Sequence, residues 1–290
     1  MTTGSAARPG GAGGTAPSGP GGTAPSGPGE KPPFDTSVAH IARVYDYWLG
    51  GKDNYAADRV AGDAALEAYP DLVSSVRANR AYLSRVVRHL AGQAGIRQFL
   101  DIGTGIPTAD NTHEVAQRLA PESRVVYVDN DPIVLAHARA LLSSNKAGAT
   151  DYIDADLHDT GTILEQARRT LDFSAPVAVM LIAVLHLIGD DEGPYEIVAR
   201  LMREVPSGSY LALSHVASDI EPEKMAEMRE RLNRMVAQKG TYRTHGEVMR
   251  FFDGLTLVEP GMVRIQQWRP RSQAQASSAA AMWGGVGRKP

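Results

Sequence analysis

The chain has 290 residues, 43% of them hydrophobic and 22% charged, with a formal net charge of −3. These values fit an ordinary globular protein with one large α/β domain and a sizeable core, or with two small domains, and they give no electrostatic case for nucleic acid or an anionic membrane as partner. There is no cysteine, which excludes disulfides, thiolate nucleophiles and zinc–thiolate sites. The longest apolar run, "PVAVMLIAVLHLI", is too short to span a bilayer, and the N-terminus lacks a secretory pattern. A cytoplasmic protein is the expectation.

Residues 1–33 are almost all Gly, Pro, Ser, Thr and Ala, and "GGTAPSGP" occurs at Gly13 and again at Gly21. Such a segment has too little to bury to offset its ordering entropy, so a disordered tail is expected. "VAHIARVYDYWLGG" reads as a helix stopped by Gly50 and Gly51, "AADRVAGDAALEAY" as a second, and "DLVSSVRANRAYLSRVVRHLAGQ" as a long amphipathic third. Residues 34–95 thus form a helical preface, or lid. From residue 96 short apolar strands alternate with helices. The strands are "RQFLDIG", "RVVYVDND", "TDYIDAD", "VAVMLIAV" and "SYLALSHV". The helices between them are "THEVAQRLA", "PIVLAHARALLSS", "TILEQARRTL" and "GPYEIVARLMREV". "EPEKMAEMRERLNRMVAQ" and "HGEVMRFF" follow as helices, and "LTLVEP" and "MVRIQQWRP" as a hairpin turning at "EPG". The pattern predicts α/β architecture: a seven-stranded, mostly parallel sheet with helices on both faces and the last strand antiparallel. The α/β core spans residues 96–270. Residues 271–290, "RSQAQASSAAAMWGGVGRKP", read as a second disordered tail.

The stretch "FLDIGTGIPTADN" carries the chemistry. Gly103 and Gly105 allow a sharp strand-to-helix turn and a close approach to a ligand. Three successive strand tips each end in an acid: Asp101, then Asp129 in "YVDND", then Asp156 in "DADLHD", with Asp154 as the alternative. In a doubly wound sheet these tips border the ligand crevice. They suit an amine, a ribose diol and an adenine amine, with Leu157 over the adenine ring. A pyrophosphate needs free N–H groups at a helix start. Pro107 lacks an N–H and Asp110 is an anion, so a nicotinamide dinucleotide is disfavoured and phosphate-free S-adenosylmethionine is favoured.

These residues resemble a known family. "RVYDYWLGGKDNYAADR", "DIGTGIPTADNTHEVAQ", "YVDNDPIVLAHARALL", "AVLHLI", "GSYLALSH" and "LVEPGMV" with "WRP" are similar to the actinobacterial S-adenosylmethionine-dependent methyltransferases first catalogued as a domain of unknown function. The resemblance covers nearly all of residues 34–270. It implies a Rossmann-like class I methyltransferase fold with strand order 3-2-1-4-5-7-6 and strand 7 antiparallel. It supplies no substrate.

The expected cofactor residues are Asp101, Gly103, Thr104, Gly105, Asp129, Asn130, Asp156, Leu157 and Arg80, with Lys52 or Arg80 as partner of the methionine carboxylate. Tyr45, Tyr47, Trp48, Lys52, Asn54 and Tyr55 cluster before the sheet, where helices of this fold help shape the substrate pocket, and Asn111 and His113 lie close to the glycine loop. His186 and His215 follow two neighbouring strands, whose tips lie about 5–10 Å apart; either can serve as general base. No third ligand has spacing for a His–His metal site. The expected activity is methyl transfer to a small molecule. The alternative is a regulatory module that binds S-adenosylmethionine without turnover.

Overall fold

A computed structural model describes Met1, residues 35–141 and residues 147–290. The expected tail of residues 1–33 beyond Met1, and the end of the helix "PIVLAHARALLSS", lie outside the described residues. Among those described, no helix is long and apolar enough to cross a membrane.

Three helices precede the sheet: α1 (Ile41–Leu49), α2 (Ala56–Ala68) and α3 (Leu72–Gly92). The chain then alternates through β1 (Gln98–Ile102), α4 (Thr112–Leu119), β2 (Arg124–Asp129), α5 (Pro132–Leu141), β3 (Ala149–Asp154), α6 (Thr160–Ala167) and β4 (Ala178–Ile182). It continues through α7 (Pro194–Glu204), β5 (Tyr210–Val216), α8 (Pro222–Met235) and α9 (His245–Met249) to β6 (Thr256–Leu257), β7 (Val263–Arg264), α10 (Gln273–Ala276) and β8 (Met282–Arg288).

Strands β1 to β5 are parallel, and the sheet order is β3-β2-β1-β4-β5-β8-β6. Every residue of β1 and β4 is buried, as expected for strands covered on both faces. Side chains alternate between the two apolar layers. Leu100 and Ile102 meet α6 and α7 residues such as Ile163 and Leu201. Phe99 faces the other way, toward Tyr82, Val86 and Leu90 of α3. A third apolar cluster joins α1, α2, α3 and α8 through Trp48, Ala61, Val76, Met228 and Leu232. This helical cap stands over the carboxyl ends of the strands.

The implied spatial order holds, but the sequence assigned two segments wrongly. Residues 271–290 are not a disordered tail: β8 lies antiparallel between β5 and the edge, with His215 opposite Trp283 and Leu213 opposite Gly285. Its glycines made it read as flexible, yet they are what lets it fit. A Cβ on Gly284 would sit 2.7 Å from Ile265 Cγ2 and 3.0 Å from Tyr82 Cζ, and one on Gly287 would sit 2.8 Å from the Phe252 ring. Nor do "LTLVEP" and "MVRIQQWRP" form a hairpin. Both β6 and β7 pair with β8, at Leu257–Gly287 and Val263–Gly284, and Val258 N donates to Val286 O. They are two pieces of one edge strand. The "EPG" segment is an excursion between them, closed by Gly261 N donating to Val258 O.

Candidate functional site

A cleft runs between the helical cap and the tips of β1 to β4. Its floor is the loop after β1. Gly103 has φ +73° and Gly105 φ +63°, a region that favours glycine. A Cβ on Gly103 would sit 2.3 Å from Val184 Cγ2, so the loop after β4 packs directly on its α-carbon. Gly105 faces open space, leaving its backbone accessible.

The three acids occupy different settings. Asp101 is buried and accepts a 2.6 Å hydrogen bond from Thr112 Oγ1. Burial pushes its carboxyl up to about 6, against the pull of the Thr112 bond and the nearby Arg80 charge. Asp129 Oδ2 accepts from Gly105 N at 2.8 Å and Oδ1 from Asp131 N at 3.0 Å. Burial raises its carboxyl against these backbone bonds. Each oxygen keeps a further lone pair for a ligand hydroxyl. At Asp156, burial works upward, but the His158 N–H and ring and the Asn130 amide outweigh it and hold the carboxyl below its ordinary value. Asp156 and Leu157 line the cleft; Asp154 at the tip of β3 is exposed and does not.

The loop is not built for phosphate, although not for one of the expected reasons. Asp110 repels nothing in the cleft, because its carboxylate turns onto Arg118 at 2.5 Å. Instead the start of α4 is already occupied. Glu114 stands in its first turn and accepts Asn111 N at 2.9 Å, while Asn111 Oδ1 accepts Thr108 N at 3.1 Å. Asn111 and His113 thus support the loop region and lie outside the lining of the main cleft. They border a smaller pocket behind the loop, where His113 Nδ1 meets the Tyr127 hydroxyl at 2.8 Å. Arg80 borders both spaces, and its guanidinium donates to Ala109 O at 3.2 Å. Thr104 and Asn130 also line the cleft.

The cluster in "YDYWLGGKDNY" divides. Tyr45 and Trp48 line the cleft. Tyr47 turns away, its hydroxyl on Asp63 at 2.7 Å. Lys52 is exposed and lies outside the cleft lining, which Arg80 joins. Asn54 Nδ2 donates to Asp46 Oδ2 at 2.9 Å and holds the turn. That turn requires glycine, since a Cβ on Gly51 would lie 1.8 Å from Asp46 Oδ1. Tyr55 packs near Ile106, Ile133 and Val134. The cap is tied to the sheet by His40 Nδ1, 2.8 Å from Asp131 Oδ2.

The two histidines also separate. His186 sits in a 3-10 turn (Leu185–Leu187) after β4 and lines the cleft. Burial, aided by the Arg243 charge, lowers it to about 4, so it is neutral at physiological pH. Its Nδ1 is buried without a hydrogen-bond partner. His215 lies outside the cleft lining with both ring nitrogens engaged: Nδ1 donates to Val216 O at 2.8 Å, and Nε2 accepts from Arg243 at 2.9 Å. No ring nitrogen is left for an acceptor's proton, so its role is structural. Arg243, fully buried, also donates to Leu185 O, Ile188 O and Asp190 Oδ1 at 2.7–3.0 Å, which fixes the turn that carries His186.

Sequence reasoning missed Asn79, Tyr242 and Arg243. Asn79 lines the cleft; it donates to the Tyr45 hydroxyl at 3.0 Å and accepts Ser214 Oγ at 2.6 Å. A signal existed for it: Asn79 stands on the apolar stripe of α3 between Val76 and Leu83. Tyr242, in a loop, had none. Helix α8 borders the cleft through Met225, Met228 and Leu232. Among the described residues no three His, Asp or Glu side chains group as a metal site.

No curated protein matches the chain. Solved structures similar along most of it include the following two. A DUF574 family protein from Streptomyces avermitilis is 48% identical, with 88% of this chain and 99% of that one covered and a TM-score of 0.85. A putative methyltransferase from Thermobifida fusca is 41% identical, with 88% and 96% covered and a TM-score of 0.81. A family model described as S-adenosyl methyltransferase matches residues 28–290. With its strand order, its acid-tipped strands and its phosphate-unsuited glycine loop, the chain belongs to the S-adenosyl methyltransferase family.

Proposed function

We propose that the protein transfers a methyl group from S-adenosylmethionine to a small molecule held between the β4 tip and the helical cap. The observation that carries this reading is the single cleft in which Asp101, Asp129 and Asp156 share a wall with the open face of Gly105. The residues fit the cofactor's chemistry. Asp101 can accept from its ammonium group, Asp129 from the ribose hydroxyls and Asp156 from the adenine amine, while Arg80 can donate to its carboxylate and Leu157 can lie against the ring. When bound, S-adenosylmethionine supplies a methyl group on a positively charged sulfur.

The protein's remaining work is alignment and exclusion of water. Tyr45 and Trp48 of α1 cover the cleft. Asn79 holds the Tyr45 hydroxyl in place, and Ser214 on β5 holds Asn79 in turn. As the bond to the methyl carbon forms, the acceptor atom's proton becomes much more acidic. A neutral, weakly basic imidazole then suffices to take it, and His186 has that form. The test has two parts. Calorimetry should show S-adenosylhomocysteine binding, and incubation with S-adenosylmethionine and cell extract should release S-adenosylhomocysteine. Binding without release from any extract would favour a module that does not turn over, and NADH binding in place of S-adenosylhomocysteine would overturn the reading.

A further inference from the structure

We infer that the methyl acceptor is a neutral, largely apolar molecule carrying a hydroxyl group; this rests on the functional reading above. The cleft is divided by charge. Its acids and Arg80 come from α1, α3 and the tips of β1 to β3, where the cofactor's charged and polar groups need them. Every residue that the chain contributes to the lining from Ile182 onward is uncharged at neutral pH. This end is walled by Leu72 and Val76 of α3, Met225, Met228 and Leu232 of α8, and Tyr242. The same side chains form part of the apolar cluster of the helical cap. A carboxylate, phosphate or ammonium group placed there would be desolvated with no counter-charge in the lining, since Arg243 behind His186 is already engaged by Asp190, and that is strongly unfavourable. Flexible methionines beside Leu and Val suit a rigid ring system of approximate fit.

One polar feature stands out on this wall. His186 is buried and neutral; its Nδ1 is shut off from solvent without a partner, so Nε2 is the ring nitrogen within a ligand's reach. A ring nitrogen with no protein partner gains a hydrogen bond when a ligand reaches it. A hydroxyl answers either imidazole tautomer, because it is both donor and acceptor. Tyr242 and His215 pack edge-on against the His186 ring at centroid distances of 6.2 and 5.9 Å, so the ring is held and does not swing out to water.

The experiment uses the full chain and calorimetry. S-adenosylhomocysteine is titrated first, then 2-naphthol and 6-hydroxy-2-naphthoate into the S-adenosylhomocysteine-bound protein. 2-Naphthol should bind, and the carboxylate at least tenfold more weakly. Met228→Lys should weaken 2-naphthol at least tenfold while keeping S-adenosylhomocysteine affinity within twofold, which also shows that the variant is folded. Equal or tighter binding of the carboxylate overturns the inference. So does rejection of 2-naphthol by the S-adenosylhomocysteine-bound protein, which leaves the functional reading standing. Failure of S-adenosylhomocysteine to bind overturns that reading and this inference with it.

Discussion

Asp129 Oδ2 lies 2.8 Å from the Gly105 backbone nitrogen, so the acid at the tip of β2 fastens the glycine loop that leaves β1. The residue proposed for the cofactor's ribose thus also sets the loop that lines the same cleft. Substituting Asp129 by Asn keeps an acceptor for one N–H but removes the charge from both bonds. S-adenosylhomocysteine affinity should fall about tenfold or more, with the sheet intact by circular dichroism.

The two loop glycines should respond differently to alanine. Gly103→Ala meets both an unfavourable φ and Val184 at 2.3 Å; the strain and overpacking together cost about 2–5 kcal/mol. Gly105→Ala meets no atom within 4 Å, so it carries only the left-handed backbone cost of about 1–2 kcal/mol. Thermal melts should show a large drop for the first and a small one for the second. Calorimetry should show that Gly105→Ala still loses cofactor affinity, because its methyl enters the cleft. Equal melting temperatures would contradict this packing.

Asp101 gives the site a pH dependence. Its carboxyl titrates near 6 in the folded chain against an ordinary value of 3.8. A cationic amine beside it favours the ionised form, so cofactor binding should weaken as pH falls through about 6. For stability the sign reverses. A raised carboxyl is fully stabilising only below its unfolded value, and that benefit is lost as pH rises through about 6, leaving a burial cost of roughly 3 kcal/mol above it. Asp101→Asn should therefore melt higher than the parent at pH 8 and show no advantage at pH 4, while binding cofactor poorly at both. Melting curves from pH 4 to 8 decide this, and a constant difference across that range would count against it.

His186 and His215 should separate in kinetics. His186→Ala should reduce kcat by about a hundredfold with cofactor affinity retained. Because His186 stays neutral down to about pH 4, its own titration should leave the rate flat above pH 5. An inflection near pH 6 belongs to Asp101 and should vanish in Asp101→Asn. His215→Ala should lower stability by about 1–3 kcal/mol, since it strips buried Arg243 of an acceptor. A normal melting temperature for that variant would contradict the structural role assigned to His215.

Removing residues 282–290 should abolish cooperative unfolding, because β5 and β6 would lose the strand between them. Gly284→Ala is the milder test. Its Cβ lands on Ile265 and Tyr82, and a loss of about 1–3 kcal/mol is expected. Cooperative melting of the truncated chain would show that β8 is dispensable.

The parallel strands were legible because burial on both faces leaves an unbroken apolar run, as in "AVMLI". The acid-tipped strands were legible because residues at and just beyond a strand's carboxyl end border the crevice, although on β3 it is Asp156, past the strand, and not the last residue Asp154 that lines it. Strand β8 was not, since glycine signals flexibility in isolation and reveals close packing only once Tyr82 and Phe252 are seen above it. Among the site residues, spacing put His186 and His215 in the same class. What separates them is Arg243, 28 residues beyond His215, which engages one ring and braces the turn of the other. Tyr47 and Lys52 were misplaced because a dense polar–aromatic segment does not reveal which way its turn points. Asp46 and Gly51 decide that through a contact between them.

The place of β8 between β5 and β6 also orders events in time. Every other strand precedes it in the chain, so during synthesis β5 carries an open, apolar edge until the WGGVGR segment arrives. An edge of that kind recruits foreign strands. The interval before β8 docks is therefore one in which a nascent chain is exposed to misassembly along β5.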